Sequence, residues 1–241
     1  MVLLRVLLEG LMLRYFFTII IALWAMSVSA NVVITGTRVI YPSNQKTVSV
    51  QLTNAGTKPS LVQAWIDNGD PKAAPETIKT PFVITPPISR IDGNKGQTLR
   101  ITYTGASLPK DRESIFYLNV LDIPPKPKDQ SQNYLQIALR SRIKLFFRPV
   151  ELTISPSDAY SQVKWRGQGK QLLVDNPTPY YITYPEVKVG AAETVSANMI
   201  APFSQATFQL NKALPASATT VTWTVINDYG ATPSGTSTMQ H

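Results

Sequence analysis

From Asn31 onward, apolar and polar residues alternate in short segments, and Pro, Gly, Asn or Asp interrupts them about every ten residues. Alternation with a period of two sends successive side chains to opposite faces of an extended chain, so each segment reads as a strand with one face in a core. The first series is NVVITGTRVIYP, TVSVQLTNAG, SLVQAWIDNG, FVITPPISRI, QTLRITYTG, SIFYLNVLDIPP and NYLQIALRSRIKLFFRPVEL. A second follows TISPSDAY and comprises QVKWRG, QLLVDNPT, YYITYPEVKVG, ANMIAPFSQATFQL and TTVTWTVINDYG. No stretch sustains a helical period. The pattern predicts an all-β protein of two tandem immunoglobulin-like β-sandwiches, residues 31–152 and 153–241, joined near Thr153 to Ser157.

The seventh segment carries an unusual burden of charge. Leu135, Ile137, Leu139, Ile143, Leu145 and Phe147 share one parity, whereas Gln136, Ala138, Arg140, Arg142, Lys144 and Arg148 share the other. Extended from Tyr134 to Arg148 it would span about 50 Å, far beyond an ordinary strand. Such a strand outruns its own sheet, and part of its apolar row is then left without a partner in its own chain.

Residues 1–30 stand apart from this pattern. Arg14 precedes the apolar run YFFTIIIALWAM, and SVSA puts Val28 and Ala30 at the small-residue positions of a signal-peptidase site. These features predict a secretory signal peptide cleaved after Ala30, with Met12 as an alternative start. The apolar run is too short for the ~20 residues that span a bilayer, so no membrane anchoring is expected after cleavage. Removing residues 1–30 takes away Arg5, Arg14 and Glu9, leaving 21 basic against 14 acidic residues and a net charge of +7. The basic residues are scattered apart from the seventh segment, and no nucleic-acid-binding motif accompanies them, so nucleic acid is not an expected partner.

The chain has no cysteine, and its one histidine is the C-terminal His241. Disulfides and thiolate zinc sites are excluded, and serine–histidine or cysteine–histidine catalysis has no credible base. A lone lysine such as Lys144 has no pocket motif, phosphate loop or metal cluster beside it. No enzyme activity, metal or cofactor is expected. DIPPKPKDQSQN reads as a polar loop, and Pro86-Pro87 as a site for a sheet crossover or cis peptide.

Taken in order, TRVIYP, TPPISRI, GQTLRI, RESIFYLNVLDIPP, LQIALRSRIKLFFRP, NPTPYY and INDYG resemble the periplasmic pilus chaperones of the PapD-like family across nearly the whole chain after residue 30. The short cysteine-free loop PKPKDQSQN is similar to that of the branch serving rod-forming pili. The resemblance implies two sandwiches in an L or boomerang arrangement and a periplasmic protein. It would bind pilus subunits one to one, fold them by donor-strand complementation without ATP or cofactor, and deliver them to an outer-membrane usher. Leu135, Ile137 and Leu139 match the row lent to the subunit, although parity alone is equally compatible with the protein's own core. Arg38 and Lys144 match the pair that holds the subunit's C-terminal carboxylate, the planar guanidinium and the compact ammonium together suiting that anion. Glu113, Arg148 and Asp228 match an inter-domain ion network. The alternative is a structural immunoglobulin-like surface protein or pilus subunit, since tandem sandwiches also build fibres. Against it, seven segments already complete the first sandwich, whereas a subunit needs a missing strand.

Overall fold

The computed structural model describes residues 32–126, 134–196, 198–214 and 217–240. The expected signal peptide, most of the PKPKDQSQN loop and His241 therefore lie outside the described residues. Strands account for nearly all the regular structure, in two bodies that each enclose a separate core.

In the first body, β1 (Val32–Ile34), β3 (Thr47–Asn54), β7 (Gly96–Tyr103) and β5 (Phe82–Thr85) form one sheet in the order β1-β3-β7-β5. The facing sheet orders β2 (Arg38–Pro42), β9 (Leu139–Arg148), β8 (Ser114–Ile123), β4 (Ser60–Asp67) and β6 (Ile88–Ile91) as β2-β9-β8-β4-β6. The alternation of each strand delivers Leu52, Leu99, Ile101, Leu118 and Leu145 to the space between the sheets, where all five are fully buried. Tyr41, Phe82, Tyr103, Phe116 and Phe147 close one end as an aromatic cluster.

Two segments expected as single strands divide between the sheets. NVVITGTRVIYP becomes β1 and β2, separated at Gly36, whose φ of 98° lies in the left-handed region that side chains disfavour. FVITPPISRI becomes β5, paired with β7, and β6, paired with β4. The chain crosses at Pro86-Pro87, where the Thr85–Pro86 peptide is cis and neither proline can donate to a ladder. The seventh segment is also shorter than expected, because ladder pairing begins only at Leu139, opposite Asp122 near the end of β8. Tyr134 to Ala138 run on beyond that partner without strand pairing.

The second body holds β10 (Lys164–Gln168), β11 (Gln171–Asn176), β12 (Ile182–Tyr184), β13 (Glu186–Val189), β14 (Ala192–Glu193), β15 (Asn198–Ile200), β16 (Ser204–Gln209), β17 (Thr220–Thr224) and β18 (Ser234–Gln240). Seven of these order as β14-β13-β17-β18-β10-β11-β16, and β12 pairs β15. Trp165, Tyr184 and Phe208 meet edge to face at its centre. The short β14 lies outside the expected segments, as do a helix and the last strand. A helix, α1 (Pro156–Gln162), begins where a linker was predicted: Ser155 Oγ accepts the Asp158 N–H at 3.2 Å and Pro156 occupies the first turn. Strand β18 has only Met239 buried, so its sequence SGTSTMQ shows no apolar alternation. Its Gly235 is needed because a Cβ there would meet the Trp223 ring at 2.4 Å.

Candidate functional site

Strands β2 and β9 run parallel in a register that places Arg38 opposite Lys144 and Pro42 opposite Arg148. On β9, Leu145 and Phe147 enter the first core, while Lys144, Phe146 and Arg148 take the other parity and face the second body. Phe146 is buried there, its ring 5.8 Å from that of Tyr181, and the Arg38 guanidinium lies 5.8 Å from the Phe146 centroid. The strand thus has a second apolar contact, on its charged parity, that the alternation had concealed.

Arg38 and Lys144 are half-buried at this junction. Arg38 Nη1 donates to the Ile226 carbonyl at 2.7 Å, and Arg38 Nε is buried with no hydrogen-bond partner. Burial lowers the Arg38 pKa, although Asp228 and Glu113 act in the opposite sense. Lys144 Nζ meets Thr183 Oγ1 at 3.4 Å, a marginal hydrogen bond. Burial and then the neighbouring Arg38 push the Lys144 pKa down. Among the described residues no carboxylate forms an ion pair with either cation.

Beside them Arg148 is saturated with acid. Its Nε donates to Glu113 Oε1 at 2.7 Å, and its Nη1 and Nη2 donate to the two Asp228 oxygens at 2.6 and 2.8 Å. Glu113 Oε2 accepts the Tyr181 N–H at 2.8 Å, and the Glu113 N–H donates to the Pro179 carbonyl at 2.9 Å. Burial raises the Glu113 pKa, against the opposing pull of Arg148. Because Glu113 and Arg148 come from the first body and Asp228 from the second, the three side chains span the junction. Asp228 is presented by a turn in which Asn227 Oδ1 accepts the N–H groups of Tyr229 and Ala231. Gly230 in that turn (φ 81°) packs so close to Thr37 that a Cβ would meet its hydroxyl at 2.7 Å.

The apolar row of β9 divides between two environments. Leu145 and Phe147 are core and Ile143 packs against it, whereas Leu139, Ile137 and Leu135 are 52%, 59% and 84% exposed. Because β2 pairs only with residues 144–148, the outer edge of β9 from Leu139 to Ile143 has no strand beside it among the described residues. The exposed row is separate from the Arg38–Lys144 site, with Leu139 about 17 Å along the strand from Lys144.

The remaining charges of the strand are tied to the same sheet. Arg142 forms a bidentate pair with Asp67 at 2.6 and 2.8 Å and lies 3.6 Å over the Tyr117 ring. Asn119 Nδ2 donates to Asp67 Oδ2 at 2.7 Å, so Asp67 braces β4, β8 and β9 together. Arg140 donates to the Pro71 carbonyl at 2.8 Å. The sequence reading passed over Asp67, the one charge in the segment SLVQAWID, which by itself does not tell a buried acid from a solvated one.

The first sandwich thus carries an open strand edge with an exposed apolar row, and a network of three charges joins it to the second sandwich. Residues 31–153 match the family described as pili and flagellar-assembly chaperone, PapD N-terminal domain, and residues 158–237 match its C-terminal domain. The chain belongs to this family of pilus-assembly chaperones, whose work is folding and assembly rather than catalysis. It is 50% identical over 218 residues to chaperone protein HifB of Haemophilus influenzae, covering 88% of this chain and 90% of that one. It is 46% identical over 218 residues to the probable fimbrial chaperone YadV of Escherichia coli, covering 86% and 89%. The crystal structure of YadV superposes with a TM-score of 0.75 at 42% identity, covering 87% of this chain and 100% of that one. The SafB chaperone of Salmonella enterica, solved in complex with the SafA pilin, superposes with a TM-score of 0.76 at 28% identity, covering 90% and 99%.

Proposed function

We propose that this chaperone acts in the periplasm, after cleavage behind Ala30, and binds one pilus subunit by strand donation and a carboxylate anchor. Arg38 and Lys144 hold the subunit's C-terminal carboxylate, and the edge of β9 then lends Leu135, Ile137 and Leu139 to the subunit's groove in a register fixed by that anchor. Glu113, Arg148 and Asp228 hold the two sandwiches at the angle the subunit meets. The complex passes to an outer-membrane usher, and burial of apolar surface drives the folding step without ATP.

The observation that carries this reading is the contrast along one strand. Arg148 has two carboxylates, whereas Arg38 and Lys144, half-buried and opposite each other in the ladder, have no ion-pair partner among the described residues. Two adjacent half-buried cations cost free energy that a ligand carboxylate recovers. The exposed row supports strand donation, and the pilin bound by the SafB neighbour supports a pilus subunit as the client. Ile137→Asp tests it: the variant should melt as the wild type does, since Ile137 is exposed, yet give no 1:1 complex with a strand-deficient pilin on gel filtration. A complex of wild-type yield would remove the row from the account.

A further inference from the structure

Tyr229 is 93% exposed, more than any other large apolar side chain among the described residues, and neither the ion network nor the Arg38–Lys144 pair uses it. Its backbone, by contrast, is fixed. Asn227 Oδ1 accepts the Tyr229 N–H at 3.0 Å and the Ala231 N–H at 2.9 Å, and the Asn227 carbonyl accepts the Gly230 N–H at 3.0 Å. A ring held out into water on a rigid turn buries nothing for the free protein, and it loses little conformational freedom when a partner covers it. Tyrosine is enriched at protein interfaces and among the residues that carry their binding energy.

The place of the turn selects the partner surface. Arg38 Nη1 donates to the Ile226 carbonyl at 2.7 Å and Gly230 packs on Thr37, so the turn that carries Tyr229 is docked on the start of β2. The open edge of β9 ends at the same point. Strand β2 covers residues 144–148 of β9, and just before Arg38 the chain leaves that sheet: Gly36 turns it, and the Thr35 N–H donates to the Gln51 carbonyl of β3 at 2.9 Å. A strand laid along Leu139 to Ile143 therefore runs up against Thr37 and Arg38, with the Tyr229 turn beside its end. We propose that Tyr229 is a subunit-contact residue, its ring packing on an apolar side chain in the last few residues before the subunit's C-terminal carboxylate. The contact rests on the subunit-binding reading above and extends it, because the second sandwich then touches the subunit as well as orienting the first.

Calorimetry with a strand-deficient pilin that has a free C-terminal carboxylate tests the contact. Tyr229→Ala should melt as the wild type does, since the side chain is exposed, and should bind the pilin about tenfold more weakly. Tyr229→Phe should restore the affinity, because the ring rather than the hydroxyl makes the contact. Truncating the apolar side chains in the pilin's last few residues to alanine should weaken the wild-type complex yet add little to the loss in Tyr229→Ala. Wild-type affinity in Tyr229→Ala, with binding lost in Lys144→Ala, would overturn the contact and leave the subunit-binding reading standing. Wild-type affinity in both variants would overturn the two together. Equal losses in Tyr229→Ala and Tyr229→Phe would overturn the ring contact, and full pilin affinity with slowed transfer to the usher alone would overturn it by assigning Tyr229 to a different partner.

Discussion

Replacing Asp228 by alanine removes two charge-assisted hydrogen bonds to Arg148 and leaves its third, to Glu113, in place. Breaking a fully buried ion pair costs about 3–5 kcal/mol because a charge is left uncompensated. Here Arg148 keeps one carboxylate, and the Asp228 side chain is 29% exposed, so water recovers part of the loss. The expected cost is therefore about 2–3 kcal/mol. The molecule contains its own control. Lys188 and Glu186 form a salt bridge of similar length, 2.8 Å, but their side chains are 44% and 47% exposed. Glu186→Ala should therefore cost far less, since solvent screens an exposed pair. Urea denaturation monitored by tryptophan fluorescence reads both, and small-angle scattering of Asp228→Ala should show a broader distribution of inter-domain distances. Equal costs for the two variants, or unchanged scattering, would show that burial of the Arg148 network does not set the junction.

Two further outcomes follow from the charges of β9. Burial and Arg38 lower the Lys144 pKa, and only the protonated amine attracts a carboxylate, so subunit affinity measured by calorimetry should fall as pH rises through that lowered value, below the ordinary 10.5; Lys144→Arg should resist the change. Burial alone would raise the Asp67 pKa, but hydrogen bonds from Arg142, Asn119 and the Gly69 N–H hold it below 3.8. The stability it supplies is present above that unfolded value and lost as pH falls through the folded one, so Asp67→Asn should cost about 1.5–3 kcal/mol at pH 7 and much less near pH 2 in urea titrations.

The sequence was most readable where one residue type had one environment. Period-two alternation marked nearly every strand, and it separated Leu145 and Phe147 from Lys144 and Arg148 before any partner was known. It failed where the chain changes sheets, at Gly36 and at Pro86-Pro87, because an apolar–polar pattern does not report which strand is the hydrogen-bond partner. It missed β18, whose burial comes from a glycine under Trp223 and one methionine rather than an apolar face. It missed α1 as well, since a seven-residue helix is too short to show a period and announces itself only by the Ser155-Pro156 cap. Phe146 was invisible as a contact because its parity is the charged one and its partner, Tyr181, comes from the other domain. Asp67 required its three-dimensional neighbours, as neither spacing nor composition tells a buried acid from a solvated one.

The anchor is tested most directly by a double-mutant cycle between chaperone and subunit, measuring the affinity of wild-type and Lys144→Ala protein for a pilin with a free C-terminal carboxylate and for the same pilin amidated there. A carboxylate held at this half-buried pair should lose about 2–5 kcal/mol when Lys144 is truncated. Amidation should weaken the wild-type complex comparably yet add little to the loss in Lys144→Ala, while Lys212→Ala, an equal charge removed from an exposed loop of the second domain, should bind as the wild type does. Additive losses from Lys144→Ala and amidation, or equal binding by Lys144→Ala and Lys212→Ala, would contradict the carboxylate anchor.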